Sequence, residues 1–524
     1  MTNLKSKIVI VSFFLFLTLY GAFITGIVLR EPDICFLLAS GRWICEHGQL
    51  PHIDPFSYTT GYHDQAYVIE KWLTEVIFFS LWKFTSVNGL LVFDAIVLGL
   101  TFVVMPYRLC ALHGVRGGKA LAVAGTCMLA SFSHLAVRPE IFSYLLIAIF
   151  LELLTRYSKR SNQAEREQAA AGRIDWRLIA IFAALSALWA NLHTLFIVGF
   201  MILALYAGCE IAGKYILKNE THFNWTVTIA LGASVLATLV NPYGTALWAY
   251  LPNVFGPFND RNNEMQPIGM GAFTNPLNYG FDALVLAGTC MLARRGIAGF
   301  TRARDAADLF FKLLIPAGII GGIKTIRTIP ISDLFISCGL ANLIGRESKE
   351  KQEGGEKPLP LDEVFEPLSP VWISSVLFLC GLGAFLMTYI VPPEIPQGSA
   401  AFAPPFKAIA YIDKHRPEGN LLNYAHFGNV MMWQLRDTPP VFIDSRYNLF
   451  GNNLLKDYFT MTNCSDNWRQ LMQKYKIDWI FMPPSQKISE TLARDPDWQV
   501  VYQDKESVII ERKRVRTTGT ESHQ

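Results

Sequence analysis

Acidic residues that follow closely on a long apolar run are the first candidates for chemistry in this chain. The stretch REPDICFLLASGRWICEHGQLPHIDPFSYTT, residues 30–60, comes directly after apolar residues 8–29 and contains Asp33 and Asp54. A carboxylate at a membrane–water boundary can accept a proton from a hydroxyl or amine while a lipid-linked phosphate leaves from the bilayer edge. Asp33, Ser40 and His47 fall within roughly 40° of one another at about 100° per residue, forming one polar stripe on an otherwise apolar helix. The plain alternative for Asp33 is capping of the helix that begins at residue 34, a routine job for Asp. Asp54 stands between Pro51 and Pro55, which break the helix and hold the acid on a rigid turn. Glu70 and Lys71 follow at the start of the apolar stretch 72–86.

Other polar residues sit at the ends of apolar runs. HLAVRPEIF sets Arg138 and Glu140 at a short turn, either as a structural ion pair or with the arginine gripping phosphate, which its planar fork suits. WANLHT brings Asn191 and His193 to another turn, where a lone histidine is commonly a packing residue. GGIKTIRTIPISD carries Lys324 and Arg327, which either clamp a phosphate or pyrophosphate or simply snorkel toward water, with Asp333 just inside the next run. Glu264, in NNEMQP, lies in the second outer loop and is the weakest of these candidates. PVFIDSRYNLFG puts Asp444 and Arg446 after a strand-like run, as a ligand site at a strand end or as a local pair fixing a turn. Asp94 lies within an apolar run and must face the bundle or a cavity. NPYG, at 241–244, reads as a helix stop.

The elements that must position these residues are membrane spans. Of 524 residues, 51% are hydrophobic and 17% charged, against about a quarter charged in soluble domains. The net charge of +3 says little by itself. Apolar blocks of membrane-crossing length fall near 8–29, 89–106, 119–136, 140–157, 177–190, 194–212, 225–241, 279–293, 307–323, 328–344 and 370–391, or about eleven spans. The first block is too long for a signal peptide and has no cleavage site after it, so it reads as an uncleaved anchor. The stretch 72–86 is apolar but short, carries Glu75 and Lys83, and is expected to lie in the interface. Lys and Arg concentrate in alternate loops, which places those loops and the N-terminus in the cytoplasm and every compact polar motif outside.

Residues 392–511 read differently. An amphipathic helix over PPFKAIAYIDKHRPEGN, strand-like runs VFID, DWIFM, WQVVYQD and SVIIER, and helical patterns at 452–460 and 466–475 predict a small α/β domain outside the membrane. Residues 512–524 are polar and read as a flexible tail. The expected domains are therefore 1–391 in the membrane, with a first outer loop at 30–88, then 392–511 and 512–524. The nine cysteines show no CxxC or Cys/His ligand spacing, so no metal site is indicated, although a divalent cation stays open as a helper. Nothing calls for nucleic acid, and the absence of GxGxxG, P-loop and DxD signals favours a lipid-linked donor over a nucleotide one.

The series GRWICEHGQLPHIDPFSYT, WLTEVIFF, WANLH, NPYG and VFIDSRYNLFG, spread over nearly the whole chain, resembles uncharacterised bacterial members of the GT-C superfamily. These are polytopic membrane glycosyltransferases that use polyprenyl-phosphate sugars; the superfamily includes protein mannosyltransferases and lipid A aminoarabinose transferases. The resemblance implies a GT-C-like membrane domain in the cytoplasmic (inner) membrane and transfer of a hexose or pentose on its outer face. The partners would be a polyprenyl-phosphate sugar donor, membrane lipids, and a glycan, lipid or protein acceptor. Asp33 occupies the place of the superfamily's catalytic acid. Many members have an adjacent Asp-Glu pair there, whereas this chain has Glu31-Pro32-Asp33, which leaves Asp54 as a rival base. A transporter or flippase would need ionisable residues along a midplane pathway and an inverted repeat, and neither is visible. A non-catalytic scaffold built around the tail is the third reading.

Overall fold

In the computed structural model the described residues are 32–62, 67–132, 137–166, 173–217, 224–255, 267–268, 275, 278–295, 303, 305–353, 370–390, 404–437 and 439–513. The chain divides into two compact units. One comprises Met1–Val28, Glu70–Leu251 and Asn259–Pro393; the other comprises Leu29–Ile69, Pro252–Phe258 and Glu394–Gln524.

Apolar runs without strand-forming alternation make helices the regular elements of the first unit among its described residues. Trp72–Leu112, Glu140–Gln163, Phe196–Ile216, Ala306–Lys324 and Ile326–Glu350 are long and apolar enough to cross a membrane. Shorter apolar helices at Trp176–Leu192, Thr226–Ala237 and Val376–Leu386 coincide with expected spans. The polytopic helical class is as expected, while the count of about eleven is not confirmed, and the anchor at 8–29 lies outside the described residues. Exposed Met201, Leu236, Leu286, Ile320 and Phe378 suit a surface facing lipid, where apolar side chains cost nothing. Inside, Phe150, Phe182 and Trp189 pack edge to face. Helices Ala306–Lys324 and Ile329–Glu353 approach closely through glycine: a Cβ on Gly318 would lie 2.9 Å from the Ser332 carbonyl, and one on Gly339 2.7 Å from that of Phe311. The first long helix is kinked at Ser86 (φ 59°, ψ −166°), the boundary that separates the apolar stretch 72–86 from the expected span at 89–106. The NPYG segment is a turn: Asn241 accepts from the Tyr243 amide (2.7 Å) and donates to the Thr238 and Gly244 carbonyls, and Gly244 has φ +52°.

The second unit is built on a four-stranded sheet of order β1-β2-β4-β3: β1 Asn420–Asn423, β2 Ile477–Met482, β3 Trp498–Gln503 and β4 Val508–Arg512. β1 and β2 are parallel, and β4 runs antiparallel to both β2 and β3. Three of the expected strands are present. VFID is not a strand of the sheet: Val441 makes a single parallel bridge to Ser57, and the sheet instead takes NLLN, too short to carry an alternation signal. The amphipathic helix is Phe406–His415, and the two other helical patterns are Tyr447–Thr462 and Trp468–Lys474.

The helix Asp33–His47 ends at Gly48, whose φ of 65° suits glycine and whose amide bonds to the Ile44 carbonyl. It packs on the tail helix Ala425–Gln434. Arg42 donates to the Met432 and Trp433 carbonyls (2.8 and 3.1 Å), satisfying the orphan acceptors that end this tail helix. Val441 and residues 56–58 exchange backbone bonds of 2.9 and 3.2 Å, and the Tyr58 hydroxyl donates to the Leu421 carbonyl (2.9 Å). Residues 29–69 of the outer loop, grouped by the sequence reading with the membrane helices, thus fold as part of the same compact unit as the tail.

Candidate functional site

The candidate residues gather into two clusters, one in each unit. In the tail unit, the rigid Pro-flanked turn sets Asp54 beside Arg446, which follows the Val441 bridge. Arg446 donates to both Asp54 oxygens (3.1 Å each), to Asp444 through Nε (2.9 Å) and a terminal nitrogen (2.7 Å), and to the Tyr67 hydroxyl (2.9 Å). Asp54 also accepts from the Ser57 hydroxyl and the Phe56 amide, and the guanidinium lies over the Phe56 ring. All three charged groups are buried. Burial would lower the Arg446 pKa, but Asp444 and Asp54 together hold it well above its ordinary value, so the cluster stays charged on the arginine. Chemically this is a closed knot of one cation between two carboxylates.

Asp33 has a different setting. The cap position of its helix is Pro32, and Asp33 is the first helical residue, half-buried. Asn429 of the tail helix donates to its Oδ1 at 3.4 Å. Asn429 also donates to the Ser445 hydroxyl and accepts from the Ser445 amide (3.0 Å). The Tyr447 phenol is close enough to feel Asp33; burial first, then Tyr424 and Asp33, raise its pKa above the ordinary value. The same turn, Asp444 to Tyr447, therefore bears on both acids of the outer loop.

In the helical unit, the Glu140–Arg166 helix starts with Glu140, which pairs with Arg327 and lies 3.9 Å from the His193 Nε2. Arg138 acts on the same carboxylate. His193 leaves the Trp176–Leu192 helix in extended conformation. The Trp189 indole, a donor only, bonds to the Ser143 hydroxyl (2.8 Å), which in turn lies 2.9 Å from the His193 Nδ1. The Leu195 backbone amide, which can only donate, lies 3.5 Å from the same Nδ1; with Nδ1 as acceptor the imidazole proton is on Nε2, facing Glu140. Burial pushes the His193 pKa down to about 4. Glu70 and Lys71 form a pair of 3.5 Å and act on His193 electrostatically. Asn191 is a structural hub: it accepts from the Trp72 indole (3.0 Å) and donates to the Ala187 and Val240 carbonyls (2.8 Å each). Lys324 is exposed at the end of its helix, and Glu264 lies outside the described residues. Asp94 and Asp333 are fully buried with no hydrogen-bond partner for either carboxylate among the described residues.

Sequence reasoning missed Asn429, Tyr67 and Ser143, which complete these clusters. Asn429, in a helix not read from the sequence, and Ser143, inside an apolar run, carry no local signal of their own. Ser57 and Ser445 stand inside the quoted motifs DPFSYT and VFIDSRYNLFG and were within reach.

No protein-family model and no curated protein matches the chain by sequence. In structure it is similar to the oligosaccharyltransferase of Archaeoglobus fulgidus in its apo form, at 11% identity over 90% of this chain and 69% of that one, with a TM-score of 0.53. It is also similar to ArnT from Cupriavidus metallidurans bound to undecaprenyl phosphate, at 14% identity over 96% of this chain and 97% of that one, with a TM-score of 0.45. At such identities the likeness is one of fold, and that fold is GT-C-like.

Proposed function

We propose that this chain is a glycosyltransferase that moves a sugar from polyprenyl phosphate to a glycan, lipid or protein acceptor on the outer face of the cytoplasmic membrane. The observation that carries this reading is the fold it shares, over 90% of its length, with an oligosaccharyltransferase. Motifs that resemble the GT-C superfamily, read from the sequence alone, support it independently.

Asp33 is the general base in this reading. It accepts the acceptor's proton as the acceptor oxygen or nitrogen bonds to the anomeric carbon and the bond from that carbon to the phosphate oxygen breaks, releasing polyprenyl phosphate and inverting the centre. Half-exposure supports Asp33 over Asp54, because a base must reach its substrate and Asp54 is closed off by Arg446, Ser57 and the Phe56 amide. Arg138, Arg327 and the exposed Lys324 bind the donor phosphate, with Glu140 paired to Arg327 and attracting Arg138 electrostatically. Asp444 and Arg446 shape the loop. Residues 29–69 and the tail would both lie outside the membrane, with the N-terminus in the cytoplasm.

Membranes containing the protein should transfer radiolabelled sugar from polyprenyl phosphate to an endogenous acceptor, and deletion should shift the intact mass of that acceptor by one sugar. Unchanged lipid, glycan and protein masses on deletion, with no transfer in membranes, would sink the reading.

A further inference from the structure

We propose that Asn429, on the tail helix Ala425–Gln434, is a positioning residue that orients the Asp33 carboxylate by holding its Oδ1. The inference rests on the reading of Asp33 as the base and adds to it a residue from the other end of the chain.

The direction of the Asn429 carboxamide is fixed by its surroundings. The Ser445 backbone amide can only donate, and it lies 3.0 Å from one end of the carboxamide, so that end is oxygen. The other end is therefore the NH2 group, and it faces Asp33 Oδ1 and the Pro32 carbonyl, at 3.4 Å each, and the Ser445 hydroxyl. The reversed amide would set N–H against N–H at Ser445 and oxygen against a carboxylate at Asp33. Asn429 is fully buried, so its side chain cannot swing away to water. At 3.4 Å the donor lies just beyond the usual N–H···O range, so it adds little binding energy. Ser445 sits between Asp444 and Arg446, whose knot with Asp54 fixes the turn. A chain of contacts therefore runs from the buried knot through Ser445 and Asn429 to Asp33.

Among the described residues, the titratable groups that interact with Asp33 include the Cys35 thiol on its own helix and the Tyr447 phenol from the tail. Burial holds both above their ordinary values, so both are neutral at mildly acidic pH. His426 reaches the same Ser445 hydroxyl at 3.3 Å.

A carbodiimide with an amine nucleophile labels carboxyl groups through their protonated form, and peptide mass spectrometry of the full chain in nanodiscs reads Asp33 without any substrate. Asn429→Asp replaces the donor with a second carboxylate, and two carboxylates so close retain a proton between them; labelling of Asp33 at pH 6 should rise roughly tenfold. Ser445→Ala removes the competing acceptor and keeps the backbone amide that orients Asn429. It concentrates the N–H on Asp33 and should cut labelling by about half. Parental labelling in a folded Asn429→Asp overturns the proposal. If Asn429→Asp does not fold, Ser445→Ala decides, and unchanged or increased labelling there overturns it equally. Sugar transfer separates this from the underlying reading. With the proposal correct, Asn429→Asp lowers kcat and leaves KM near parental. Normal transfer by Asp33→Asn ends the assignment of the base and with it the positioning role. Parental labelling by Asn429→Asp beside an inactive Asp33→Asn ends the positioning alone.

Discussion

Arg446 and Arg327 are both arginines paired with acids, yet their surroundings give them opposite uses. Arg446 is 6% exposed and stands between two fully buried carboxylates, and each of its nitrogens already donates within the knot. Arg327 is 33% exposed and shares one carboxylate, Glu140, with His193 and Arg138. The first cluster has an excess of acid and no opening, so its charges are spent on each other and hold two distant chain segments together. The second reaches solvent through Arg327, as contact with an anion from outside requires. An arginine beside an acid is one pattern in the sequence; burial and charge count decide what it does.

Breaking the knot gives the largest expected effect. Arg446→Leu strands Asp54 and Asp444 without a counter-charge and should cost about 3–5 kcal/mol. Thermal melting and limited proteolysis of the purified protein should show the tail and residues 32–62 released together; a near-parental melt would mean that the knot does not hold them. Arg327→Ala should be milder for stability, about 1–2 kcal/mol, because Glu140 keeps His193 and Arg138. Sugar transfer should nonetheless fall by roughly 100-fold, the scale of losing one donor that stabilises developing charge. The comparison would collapse if Arg327→Ala melted early and turned over normally.

The effect of His193 is confined to acidic pH. Its unfolded imidazole takes a proton near pH 6.5, whereas the buried one does so only near 4. Between those values the unfolded state binds more protons, so stability is complete above about 6.5 and falls as pH drops toward about 4. The loss approaches about 3 kcal/mol at the acid end. In His193→Gln the melting temperature should vary less over this window. An equally steep profile in the variant would assign the acid sensitivity to other groups.

Much of the scaffold was legible because membrane spans write themselves as apolar runs, and Trp72–Leu112 and Ala306–Lys324 fall on runs that hydropathy marks. Turn chemistry was legible too, as at Asn241 in NPYG, where side-chain bonds act within three residues. Long-range pairing was not. Asp54 and Arg446 are joined across 392 positions, and nothing local to DPFSYT announces a partner in VFIDSRYNLFG. For the same reason VFID read as a strand, although its one bridge is to Ser57 and lies outside the sheet. Asn429 lies on a helix whose apolar residues are buried on every side, and no amphipathic period marks it.

The central claim is that Asp33 carries the chemistry and Asp54 the architecture, and one paired measurement tests it. Asp33→Asn and Asp54→Asn would each be assayed for sugar transfer from polyprenyl phosphate in membranes, with thermal melting followed on the same purified proteins. Asp33 does not cap its helix and gives it only a favourable charge in the first turn, worth about 0.3–1 kcal/mol, so Asp33→Asn should melt near the parent while turnover falls by about 10²–10⁴-fold. Asp54→Asn should melt early, because it unbalances a buried ion cluster, and its folded fraction should turn over at a rate close to the parent's. Parental turnover in Asp33→Asn, together with an inactive Asp54→Asn that melts like the parent, would contradict the account and move the base to Asp54.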